Sequence, residues 1–136
     1  MTTDSRPKDM AISLDIDGRK VIFGGAAKGV GMIHPNMATM LAFISTDAPV
    51  ELSLLRQSVK DAVDVSFNMI DIDGDQSTND SVIVLANGAA GGSTIEAGSK
   101  AATAFQEGLT YICTSLAKEL VRDGEGAQRL MDVVVE

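Results

Sequence analysis

Four groups of residues carry types and spacings that could do chemistry. The pair Ala38-Thr39 follows a glycine-rich stretch and a proline and opens an apolar run. A threonine hydroxyl is a weak nucleophile until a base takes its proton, and cutting the chain in front of it turns its own α-amine into that base. The small Ala38 suits such a cut. Thr at the start of a strand is also ordinary on β-propensity alone. Asp71, Asp73 and Asp75 have the 1, 3, 5 spacing of a calcium loop, but Gln76 stands at the sixth position and Val82 at the twelfth, so the flexible turn and the bidentate carboxylate are both missing. The favoured reading is a solvated acidic turn whose Asp side chains bond nearby backbone N–H groups, and no metal site is expected. Gly29-Val30-Gly31-Met32-Ile33-His34 begins like a dinucleotide fingerprint, yet His34 occupies the third-glycine position and the Lys-Ser/Thr ending of a P-loop is lacking. His34 is the only histidine, so any Ser-His-Asp or Cys-His arrangement must pass through it; beside Pro35 it reads as a surface loop residue. Cys113, near Leu109 and Leu116 on an apolar helical face, reads as a buried structural thiol.

The elements that must position these groups follow from periodicity. Ile12, Leu14 and Ile16 alternate with polar residues, Asp17-Gly18 supplies a two-residue turn, and Val21 and Phe23 resume the alternation, which predicts a β-hairpin. Gly24, Gly25, Gly29 and Gly31 fall within eight residues, predicting an irregular loop and close backbone approach to another group. Thr39 to Ser45 is apolar enough for a buried strand. Leu52, Leu55, Val59, Ala62, Val63 and Phe67 recur at helical spacing, and Ala101, Phe105, Leu109, Ile112, Leu116 and Leu120 mark a second, longer helix. Between them Ser81 to Leu85 reads as a short β-branched strand stopped by Asn87-Gly88, and Gly91-Gly92 extends that turn. Gly124 is the expected left-handed cap of the second helix, and Leu130 to Val135 the expected final strand. The order hairpin, strand, helix, strand, helix, strand predicts an α/β layered single domain over residues 1–136 with both helices on one sheet face. A strand that runs to the last residue suggests a chain cut from something longer.

Composition narrows the classes. With 45% hydrophobic and 22% charged residues over 136 positions, one core is feasible. A net charge of −8 argues against nucleic acid or an anionic membrane as partner. One cysteine permits no internal disulfide and favours a reducing, cytoplasmic setting, and neither a membrane helix nor a signal peptide is written in the sequence.

The run Gly24-Gly25-Ala26-Ala27-Lys28-Gly29-Val30-Gly31-Met32-Ile33-His34-Pro35-Asn36-Met37-Ala38-Thr39-Met40-Leu41 closely resembles the self-cleavage region of the ornithine acetyltransferases, bifunctional enzymes of arginine biosynthesis. Asp73 to Asp80, Leu85 to Gly88 and Asp123 to Ala127 resemble later segments of the same family in the same order, so the likeness covers essentially the whole chain. The resemblance implies part of a four-layer α-β-β-α fold, cleavage between Ala38 and Thr39, and transfer of acetyl from N-acetylornithine to glutamate through acetyl-Thr39, with no cofactor. It implies Lys28, Glu125 and Thr2 as substrate-binding residues, with Thr3 the alternative to Thr2. It also implies partner segments. Family members are about three times as long; a preceding region supplies the oxyanion hole, a following region completes the substrate site, and the cut chains assemble in α2β2 fashion. Two rival readings stand beside it: an inactive fragment or relic that keeps the fold, and a different self-processing N-terminal-nucleophile hydrolase.

Overall fold

The computed structural model describes residues 3–34 and 37–134. Strands β1 (Lys8–Ile16) and β2 (Arg19–Lys28) form the expected hairpin, with Ile16 opposite Arg19. Asp17 (φ 52°) and Gly18 (φ 74°) both adopt the left-handed backbone that a two-residue hairpin turn demands, and the Gly18 N–H donates to Asp15 Oδ1 at 2.8 Å. A small ladder, β3 (Ile33–His34) against β4 (Met37–Ala38), precedes β5 (Leu41–Thr46). Helix α1 (Leu52–Asp64) then carries the chain over to β6 (Ser81–Ala86), which lies parallel to β5, a pairing that no tight turn can make. The main sheet has the order β1-β2-β5-β6, and helix α2 (Lys100–Arg122) follows, its N-terminus capped by the Ser99 hydroxyl accepting from the Ala102 N–H.

Helix α2 lies across β1 and β2, and α1 packs beside it. Its inward residues Phe105, Leu109, Ile112, Leu116 and Leu120 are fully buried against Ile16, Val21, Phe23 and Ile44 of the sheet. Each such side chain contributes about 1.5–3 kcal/mol by leaving water. Glycines on both partners set the spacing. A Cβ on Gly25 would meet Leu116 and Ile44 at 3.0 and 3.2 Å, and one on Gly108 would overlap Leu14 and Phe23. The opposite sheet face is apolar and open: Ile22, Phe43 and Leu85 are 45%, 52% and 66% exposed. Among the described residues, no helix is long and apolar enough to cross a membrane.

Five expectations need correction. Gly24 and Gly25 lie inside β2 instead of a loop: the ladder to β1 and β5 continues through both, and the approach of α2 favours a missing side chain at Gly25. Thr39 precedes β5 by two residues, since its N–H is committed to the Met32 carbonyl and not to a sheet neighbour. Helix α1 stops at Asp64, leaving Phe67 in a separate 3-10 turn (Phe67–Met69) where Ser66 Oγ bonds the Ala62 carbonyl. Gly124 is not left-handed; a Cβ on it would press on Ile72 at 3.0 Å, and Gly126 takes the positive φ instead. Residues 130–134 form no strand. Met131, Val133 and Val134 are largely exposed and Asp132 is tied to Lys118 at 2.9 Å, so the β-branched run finds no ladder to join. Val135 lies outside the described residues.

Candidate active site

The end of β2 delivers Lys28 into a turn whose geometry only glycine accepts. Gly29 has φ +145°, and a Cβ there would meet the Thr39 carbonyl oxygen at 3.0 Å. Thr39 is therefore laid directly against the glycine loop. Its N–H donates to the Met32 carbonyl at 2.8 Å, while its Oγ1 is buried with no hydrogen-bond partner among the described residues. Buried hydroxyls nearly always find a partner, so an orphan of this kind calls for an explanation.

Two further segments close on the loop. The Glu125 N–H donates to the Val30 carbonyl at 2.7 Å, fixing the turn that follows α2. The Ile72 N–H donates to the Ile33 carbonyl at 2.9 Å, and Asp73 Oδ2 accepts from the Met32 N–H at 2.6 Å. Burial works to raise the Asp73 pKa, but hydrogen bonds from the Met32, Asp75 and Ile33 N–H groups outweigh it and hold the carboxyl below its ordinary range. The result is a cavity of about 400 Å³ that Lys28, Thr39 and Glu125 line together, with Thr3, Asp73 and Asp75 on the same wall. A Cβ on Gly31 would lie 3.2 Å from Asp73 Oδ2 and 3.5 Å from Glu125 Oε2, so that glycine keeps open the space between the two carboxylates. Lys28, Glu125 and Thr39 thus line one cavity, a cation and a carboxylate that complement a zwitterionic amino acid beside a threonine.

The segments are pinned from beneath by a buried charge cluster. Lys8 Nζ sits 2.6 Å from both Asp4 Oδ1 and Asp123 Oδ2, with all three side chains almost wholly buried. Asp4 also accepts from the Gly29 N–H at 2.9 Å, and Asp123 accepts from Ser5 through both its N–H and its hydroxyl. Burial alone would raise both carboxyls. The Lys8 ammonium reverses that, assisted by the Gly29 N–H at Asp4 and by Ser5 at Asp123; Asp4 lies below its ordinary range and Asp123 falls to about 2.

Of the residues singled out in the sequence, Lys28, Thr39 and Glu125 share the cavity. Thr2 lies outside the described residues, and Thr3 lines the wall. Ala38 is placed only as the end of β4. His34 does not line the cavity; its Nδ1 is 3.3 Å from Asp71 Oδ2 without hydrogen-bond alignment. Cys113 lies on the buried face of α2, and desolvation, opposed only by Ser66, pushes its thiol up to about 12, which leaves it no nucleophilic thiolate near neutrality. The acidic turn does bond its own backbone, Gly74 N–H to Asp71 and Asp75 N–H to Asp73, but it also supplies cavity wall, which spacing alone did not indicate. Among the described residues no group of three or more His, Cys, Asp or Glu is placed to hold a metal. Lys8 did have a signal: it is in phase with the inward positions Met10, Ile12, Leu14 and Ile16, where a cation requires a buried partner.

The model of the ArgJ family matches residues 1–136. The chain is 53% identical over 136 residues to the arginine biosynthesis bifunctional protein ArgJ of Dehalococcoides mccartyi (strain CBDB1), covering 100% of this chain and 34% of that protein. It is 54% identical over 136 residues to the protein of the same name from Symbiobacterium thermophilum, with the same coverage of 100% and 34%. The crystal structure of the arginine biosynthesis bifunctional protein argJ from Bacillus halodurans superposes with a TM-score of 0.62 at 38% identity, over 64% of this chain and 41% of that one. The chain thus spans about a third of the length of the curated relatives it matches.

Proposed function

The chain belongs to the ArgJ family, and on that premise we propose that it is the nucleophile-bearing segment of an acetyltransferase that moves acetyl from N-acetylornithine to glutamate in arginine biosynthesis. Cleavage between Ala38 and Thr39 frees the Thr39 amine. That amine takes the proton from Oγ1 as the oxygen attacks the acetyl carbonyl. The amide C–N bond then breaks, the proton passes to the departing ornithine nitrogen, and acetyl remains on Thr39 until the amine of glutamate attacks it; the acyl C–Oγ1 bond then breaks and Oγ1 takes up the proton that the glutamate amine loses. Lys28 pairs with a substrate carboxylate, Glu125 with a substrate ammonium, and Thr2 lines the pocket. The reaction belongs to the cytoplasm and requires no cofactor.

The observation that carries this reading is the buried, unpartnered Thr39 Oγ1 in a cavity that also presents Lys28 and Glu125. The open apolar sheet face of Ile22, Leu41, Phe43, Ile83 and Leu85 supports the family's α-β-β-α layering, because a second sheet packed there would bury it. The remaining segments, in an α2β2 assembly, supply the oxyanion hole and the rest of the substrate site. Removing oxyanion donors costs about 10²–10³ in rate, so the segment is expected to act only within the complete enzyme.

Expression together with the flanking segments tests the reading. Intact mass spectrometry should find a chain that begins at Thr39. Thr39→Ala should abolish cleavage and acetyl transfer, and Thr39→Ser should keep part of each. An Ala38-Thr39 bond that stays intact in the complete protein would replace this reading with that of an inactive relic.

A further inference from the structure

The left-handed backbone of Met32 is unusual for a residue with a long side chain. Its φ is 51°, a conformation that persists only where the surroundings over-determine it. Here two bonds hold the peptide groups on either side of the Met32 Cα. Asp73 Oδ2 accepts from the Met32 N–H at 2.6 Å, and the Met32 carbonyl accepts from the Thr39 N–H at 2.8 Å. The Ile33 N–H bears on the same carboxylate, and the neighbouring bond from the Ile72 N–H to the Ile33 carbonyl, 2.9 Å, seats the acidic turn against the loop. The chain of contacts runs from Asp73 through the left-handed backbone of Met32 to the nitrogen of Thr39.

We infer that Asp73 is a positioning residue for the nucleophile: by holding Met32 left-handed it aims the Met32 carbonyl at the Thr39 nitrogen and so orients the amine that must face Oγ1. The inference rests on Thr39 being the nucleophile. An amine that donates one N–H to a fixed carbonyl has its rotation about the N–Cα bond restricted, which narrows the directions in which its lone pair can meet the hydroxyl. Asp73 and Met32 stand on opposite sides of the Ala38-Thr39 bond in sequence, so the same contact also holds the two pieces in register after a cut.

The test uses the complete enzyme, with N-acetylornithine and glutamate as substrates. Asp73→Ala should lower kcat by about 10²-fold, the loss expected of a misplaced reacting group, with both KM values within about threefold because substrate contacts remain. The acid limb of the kcat profile should move to lower pH, since a carbonyl that accepts from the protonated amine stabilises that form and its withdrawal lowers the amine pKa. Asp73→Asn, which retains one acceptor oxygen, should recover part of the loss. So should Met32→Gly in the Asp73→Ala background, because glycine adopts positive φ without strain. A wild-type kcat with an unmoved acid limb in Asp73→Ala would overturn the positioning role while leaving Thr39 as nucleophile. A loss that Met32→Gly does not relieve, with the acid limb unmoved, would overturn it as well. Should Asp73→Ala fail to fold, the same two readouts on Asp73→Asn decide. A wild-type enzyme left uncut at Thr39 would remove the premise itself.

Discussion

Two buried polar sites flank the glycine loop, and the fold treats them in opposite ways. Beneath it, the Lys8 ammonium is matched by two carboxylates at 2.6 Å, and those carboxylates take further hydrogen bonds from Ser5 and Gly29. Above it, the Thr39 hydroxyl is equally hidden and has no partner among the described residues. The first arrangement matches the cation with two carboxylates and serves as anchorage, although Asp4 Oδ2 is itself buried with no partner among the described residues. The second leaves a reactive group unsatisfied in a cavity, where only a substrate or a liberated amine completes it. Polar burial here therefore separates into what holds the loop and what the loop holds.

The widest gap should appear when the two sites are mutated in parallel. Thr39→Ala removes all acetyl transfer in the complete enzyme, yet equilibrium denaturation should place its stability within about 1 kcal/mol of wild type, because deleting an unpaired buried hydroxyl sacrifices no hydrogen bond. Lys8→Met should do the reverse and destabilise by about 3–5 kcal/mol, since two buried carboxylates lose their cation. A large stability loss in Thr39→Ala, or a mild one in Lys8→Met, would erase the distinction. Acid titration sharpens it further. The Asp123 carboxyl lies at about 2 in the fold against an ordinary 3.8, so its contribution is fully present above the unfolded value and is lost as pH falls from about 4 toward 2. Asp123→Asn should flatten the stability curve in that window; an unchanged slope would show that the cluster is not what acid disrupts. The smallest effect is expected at Cys113→Ala, which should leave cleavage and transfer unaltered and cost on the order of 1 kcal/mol of packing.

How much of this was legible in the chain depended on whether the cause was local. The β1-β2 hairpin could be read because Asp17-Gly18 and the flanking alternation carry their own turn chemistry. The stripe from Ala101 to Leu120 likewise announces α2 through its period. Gly25 misled because its reason is tertiary: α2 passes over that part of the sheet, and a glycine shows only that something is near, not what. Leu130 to Val134 misled for a related cause, as β-branched residues need a neighbouring ladder that the sequence cannot promise. At the site, the block around Thr39 was recognisable by resemblance, whereas the place of Asp73 on the cavity wall depends on a contact across 41 residues.

The sheet register bears on what a cut at Ala38-Thr39 would leave behind. Strands β2 and β5 lie on either side of that bond in sequence and are adjacent in the sheet, paired from Phe23↔Thr46 to Lys28↔Leu41. Scission would thus turn an intramolecular ladder into a subunit interface without moving a strand. The fragments would meet through a domain core, with Phe23 of one against Phe105 of the other. Their separation would be indistinguishable from unfolding, and the melting temperature of the processed protein should rise with its concentration, as it does for obligate heterodimers.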